Sequence, residues 1–125
     1  MTYADQKRVE RAVSALERGY EEEINLYSEI RHLTLEQQRL LADGVAPQRV
    51  SDLEDRKEEL MALVGLIEFE MDRAKEVVTN LPPDRFPHRW RLVALLGSVE
   101  DAIEDVRDME RKNADLLQSP QAIPA

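Results

Sequence analysis

Cysteine is absent from these 125 residues, which removes disulfides, thiolate metal sites and thiol nucleophiles together. Glycine (4) and proline (6) are also scarce, about 8% of the chain against an ordinary usage of roughly 12%. Aromatic residues make up only 5%. No apolar run approaches the roughly 18 residues needed to cross a bilayer, so no membrane insertion is expected. The opening Met1-Thr2-Tyr3-Ala4-Asp5-Gln6-Lys7-Arg8 leads into a charged amphipathic segment, unlike the hydrophobic stretch of a secretory signal. The expected compartment is therefore the cytoplasm. What the chain does have is charge, 34% of its residues, and a net charge of −9. Such a surface disfavours nucleic acid and anionic membrane as partners. Abundant Leu, Glu, Arg and Ala point to long helices around one modest core.

Punctuation cuts the chain into three. Gly44 suits a helix C-terminus and Pro47 a first helical position. Pro82 and Pro83 cannot continue a helix. The end, 119–125, is expected to be disordered. Helices are therefore expected over about 3–43, 47–80 and 85–118, each about 50 Å long. Thr2 to Asp5 reads as a capping box at the start of the first.

Hydrophobic periodicity supports this division. The second segment repeats at Val50, Leu53, Leu60, Val64, Ile67, Met71, Ala74 and Val78, with Lys57 taking one place in the seam. The third repeats at Leu95, Val99, Ala102, Val106, Met109, Asn113 and Leu116. The first reads Val9, Val13, Leu16, Tyr20, Ile24, Tyr27, Ile30, Leu33, Gln37 and Leu40. Its three successive steps of three predict a stammer, with a bend or a change of neighbour near Tyr27. Short connections make consecutive helices antiparallel. The fold class is all-α: an elongated antiparallel three-helix bundle with coiled-coil packing, in which each helix touches both others.

Several clusters could carry chemistry. Glu29-Ile30-Arg31-His32 is half of a di-iron Glu-x-x-His signature, but its Glu and His point away from the apolar stripe and no second copy exists. Glu21-Glu22-Glu23 with Glu68, Glu70 and Asp72 is reminiscent of the magnesium carboxylates of helical nucleotide pyrophosphohydrolases. The Glu68-x-x-x-Asp72 spacing, however, turns one carboxylate about 40° away. Glu100, Asp101, Glu104, Asp105 and Asp108 form the longest acidic run. A solvated face is the better reading of all three; an acidic flank that selects basic partners is the functional one. Arg85, Phe86, His88, Arg89, Trp90 and Arg91 make a basic-aromatic corner. Stacking on nucleic acid is its functional reading. A hydrophobic plug of Phe86 and Trp90, four apart, is preferred.

Leu66 and Phe69 lie off the second seam, so Phe69 at least should be exposed in a lone bundle and mark a contact patch. Asn113 either fixes register or satisfies a backbone group near a helix end.

Glu36-Gln37-Gln38-Arg39-Leu40-Leu41, a short Asp-Gly corner, Leu53-Glu54-Asp55-Arg56-Lys57-Glu58-Glu59-Leu60 and Asn113-Ala114-Asp115-Leu116-Leu117 together resemble the FlgN-like flagellar export chaperones, over about residues 10–118. The resemblance implies a chaperone of type III secretion that needs no cofactor and no metal and catalyses nothing. It would bind amphipathic C-terminal helices of hook–filament junction subunits and prevent their premature assembly. The family binds clients through its third helix, which here offers Leu92, Leu96, Ile103, Met109, Leu116 and Leu117. A self-associating helical scaffold or adaptor, with a homodimer through Leu66 and Phe69, is the alternative. A magnesium-dependent nucleotide pyrophosphohydrolase comes third.

Overall fold

A computed structural model describes residues 2–44 and 46–118. Three long α-helices follow in order: α1 (Tyr3–Asp43), α2 (Pro47–Thr79) and α3 (Arg89–Gln118). The chain is an all-α three-helix bundle. The tail 119–125 lies outside the described residues.

The helix ends follow local chemistry. Thr2 caps α1: its Oγ accepts from the Asp5 N–H at 3.1 Å, and its own N–H donates back to the Asp5 carboxylate at 3.3 Å. Those bonds hold the Asp5 carboxyl below its ordinary value. Gly44 ends α1 at φ 66°, a left-handed conformation that glycine adopts without strain. The third helix begins at Arg89, four residues later than expected. Pro87 forces the residue before it, Phe86, into an extended conformation. A short 3-10 turn, Pro83–Arg85, fills the corner instead.

Each helix buries a strict four-three repeat. In α2 the buried positions include Leu53, Lys57, Leu60, Val64, Met71, Ala74 and Val78, with Ile67 half-buried in register. In α3 the repeat is Leu92, Leu95, Val99, Ala102, Val106, Met109, Asn113 and Leu116. In α1 it is Val9, Val13, Leu16, Tyr20, Glu23, Tyr27, Ile30, Thr34 and Gln37, all buried. The expected stammer is therefore absent. Glu23 and Thr34 take the inward places assigned to Ile24 and Leu33, which are only half-buried beside the seam. Thr34, 0% exposed, can occupy its place because its hydroxyl donates to the Ile30 carbonyl at 2.7 Å.

Each helix touches both others, α2 reaching α3 through Lys57 and Glu110, but the three are not equal partners. The α1 backbone approaches both α2 and α3, whereas α2 and α3 stay further apart. Tyr20 and Tyr27 of α1 are buried, with charges of both outer helices around their hydroxyls: Lys75, Glu68 and Glu100 near Tyr20, Glu68 and Arg107 near Tyr27. Burial raises the pKa of both phenols.

Candidate functional site: uncovered apolar surface around a polar-studded core

The interior carries two polar clusters. At the end where α1 meets the start of α2, Lys57 is only 4% exposed. Its ammonium donates to Gln37 at 2.8 Å and to Glu54 at 3.3 Å, and pairs with Glu110 of α3. The Gln37 amide donates to the Val50 carbonyl at 3.1 Å and to Glu54 at 3.0 Å. Burial would push the Glu54 carboxyl up, but the Gln37 amide and the Lys57 ammonium hold it below its ordinary value. One turn away, the Asn113 amide donates to the Thr34 carbonyl at 3.1 Å. The accepting carbonyl lies in the interior of α1 and not at a helix end, so the bond ties α3 to α1, while the amide oxygen of Asn113 has no partner among the described residues.

The second cluster lies mid-bundle. Glu23 of α1 is 1% exposed, and one of its oxygens has no partner among the described residues. Burial first, and then the neighbouring Glu68 carboxyl, push its pKa up to about 8. Glu68 moves the other way: it receives a bond from the Glu23 carboxyl and pairs with Lys75 at 2.6 Å. Glu23 thus holds a proton at neutral pH and Glu68 holds the charge. Of the two acidic clusters compared with a magnesium site, these two carboxyls meet. Glu70 and Asp72 are exposed. No group of three or more His, Asp or Glu side chains close enough to hold a metal ion occurs among the described residues.

The other charged motifs are spread over the surface. Glu29 and His32 are exposed, and Glu29 pairs with Arg56 at 3.3 Å. The acidic run on α3 faces outward. Its Asp105 pairs with Arg31 at 2.6 Å, and Asp108 with Arg111 at 3.2 Å. At the basic corner, Arg91 bonds Glu21 at 3.0 Å and His88 lies 3.1 Å from Glu17, so part of the patch clamps the start of α3 onto α1. Phe86 is half-buried against the core, but Trp90 is 78% exposed. The plug consists of Phe86 alone, because the late start of α3 turns Trp90 outward.

The predicted partner-binding residues divide sharply. Leu92 and Met109 are buried core residues, and Ile103 and Leu116 are half-buried. Leu96 and Leu117 are exposed on α3. On α2, Leu66 is exposed and Phe69 is 76% exposed. Two features escaped the sequence reading. Val93 and Trp90 extend the exposed apolar strip at the start of α3. Leu63 of α2 joins Leu66, Ile67 and Leu26 of α1 in a cleft of about 430 Å³ between the two helices. The i, i+3 spacing of Leu63 and Leu66 was the available signal.

Comparison with protein families, curated proteins and solved structures finds no match to this chain. No helix among the described residues is long and apolar enough to cross a membrane.

Proposed function

We propose that this protein is a helix-binding module that acts as an export chaperone of the FlgN-like kind its sequence resembles. On this reading it holds the amphipathic C-terminal helices of flagellar hook–filament junction subunits in the cytoplasm and keeps them from assembling early. The observation that supports it is apolar surface left outside a bundle whose own heptads are already filled. Trp90, Val93 and Leu96 on α3, and Leu63, Leu66 and Phe69 on α2, are exposed although the inward positions of both helices are occupied. Helix-in-groove recognition uses such strips, with anchors spaced three and four apart. Of the α3 residues that the resemblance implies, Leu96 and Leu117 are the ones free to touch a client without leaving the core.

The test is titration of the full chain with a synthetic C-terminal helix of a hook–filament junction subunit, read by calorimetry. A saturable complex lost in Leu96→Glu and Leu117→Glu, with helicity retained, is the expected result. A self-associating scaffold is the second reading, favoured by the exposure of Phe69. A tight homodimer dissolved by Phe69→Glu, with no affinity for client helices, would replace the first reading with the second.

A further inference from the structure

The cleft between α1 and α2 combines apolar side chains with carboxylates from both helices. Its floor is apolar, built from Leu26, Leu63, Leu66 and Ile67. Its rim is acidic: Glu22 and Glu29 stand on the α1 side and Glu70 on the α2 side. Glu22 and Glu29 are seven apart, so they stand two turns apart on one face of α1, about 10 Å along the axis. Arg56 pairs with Glu29. Among the described residues neither Glu22 nor Glu70 makes an ion pair, although both are exposed.

We infer that this cleft is a docking site for a basic amphipathic helix of a partner protein, whose apolar edge lies on Leu63 and Leu66 and whose flanking Lys or Arg side chains meet Glu22 and Glu70. The inference rests on the helix-binding reading and adds the place and the charge of the occupant. Charge complementarity decides the occupant. A second copy of this chain, itself at −9, brings like charge to a rim that is already negative, and like-charge contact selects against a partner. A helix with cations on both flanks removes that repulsion and is steered to the rim from a distance.

Two synthetic helices of about 20 residues, long enough to be helical on binding, provide the test. Both carry the same leucine edge; one is flanked by lysines and its twin by glutamates. The lysine helix is expected to bind at least tenfold more tightly than the twin. Raising salt from about 50 mM to about 500 mM should narrow the gap as the charges are screened. Methyl NMR shifts should fall on Leu26, Leu63 and Leu66. Leu66→Glu should weaken binding at least tenfold, and the double reversal Glu22→Lys with Glu70→Lys should turn the preference toward the glutamate twin. All three positions are exposed, so these variants should fold.

Equal affinity for the twins would overturn the inference. So would shifts confined to Leu96 and Leu117, an outcome that leaves helix binding intact and moves it to α3. A dimer dissolved by Leu66→Glu would assign the cleft to a second copy. Failure of the junction-subunit helix and of both synthetic helices would remove the helix-binding reading itself.

Discussion

Lys57 of α2 pairs with Glu110 of α3, bridging the two helices whose backbones stand apart. The same ammonium satisfies Gln37 of α1 and Glu54 of its own helix, so one buried charge touches all three helices. Truncating it leaves the amide and two carboxylates without their shared donor, whereas an apolar side chain of similar length keeps the space filled. Lys57→Ala is expected to cost about 1–3 kcal/mol in urea unfolding. Lys57→Met should cost less than half of that. Equal losses in the two variants would show that pairing, and not packing volume, is what Lys57 contributes.

Glu23 gives the bundle a pH dependence of unusual sign for a carboxyl. Its pKa is about 8 in the folded chain, raised by burial and then by Glu68, and returns to the ordinary 4.5 on unfolding. Between those values the folded state keeps a proton that the unfolded state has released. Stability from this group is therefore full below about pH 4.5, falls as pH rises toward 8, and is level above. Glu68, held low by the Glu23 bond and by Lys75, contributes in the opposite sense and loses its contribution as the solution becomes acid. Glu23→Gln should remove the fall. It should stabilise the chain by about 1–3 kcal/mol at pH 8.5 and much less at pH 5. Urea midpoints across that range, compared between variant and parent, isolate Glu23 from every other titrating group. A parallel pair of curves would show that Glu23 is already ionised at neutral pH.

Two helical glycines should respond in opposite directions. A Cβ at Gly65 would meet nothing within 4 Å, so Gly65→Ala gains helix propensity alone, about 0.5–1 kcal/mol. A Cβ at Gly19 would stand 2.8 Å from Met71 Cγ and closer still to its sulfur. Met71 is itself buried, and displacing it costs about 1–3 kcal/mol as overpacking. Gly19→Ala should therefore lower the melting temperature while Gly65→Ala raises it. A rise in both would show that Met71 repacks freely and that α1 and α2 need no glycine to approach.

The bundle was largely legible in the sequence because the seams of α2 and α3 carry their apolar residues, and even Lys57 and Asn113, at regular steps. The α1 seam was misread at two places, Glu23 and Thr34, and the second has a plain physical reason. Leu33 is more apolar than Thr34, yet Thr34 keeps the four-three phase from Leu16 to Gln37 and loses no hydrogen bond when buried. Phase outranked hydrophobicity there. The cleft was only half visible: Leu66 stood out as leaving the α2 seam, but Leu26 and Glu22 join it only once the register of two antiparallel helices is set. The start of α3 was read too early because Pro87 holds Phe86 extended and delays the helix to Arg89, and that shift also turns Trp90 outward.

Trp90 and Phe86, four residues apart at the same corner, should therefore behave differently. Phe86 packs against the core, and its truncation to alanine should cost about 1–2 kcal/mol, less than a fully buried phenylalanine loses. Trp90→Ser should change stability by no more than about 0.5 kcal/mol, as for a surface substitution without a partner. Trp90 is the chain's sole tryptophan, so its fluorescence reports this corner without ambiguity. Native emission should lie close to that of the urea-unfolded chain and be quenched readily by acrylamide. A blue-shifted, protected signal in the isolated chain would mean that the ring is covered, either by the bundle or by a second copy. Repeating the measurement on dilution separates those two: a signal that moves red as the protein is diluted places the cover on another molecule, and one that does not places it within the bundle.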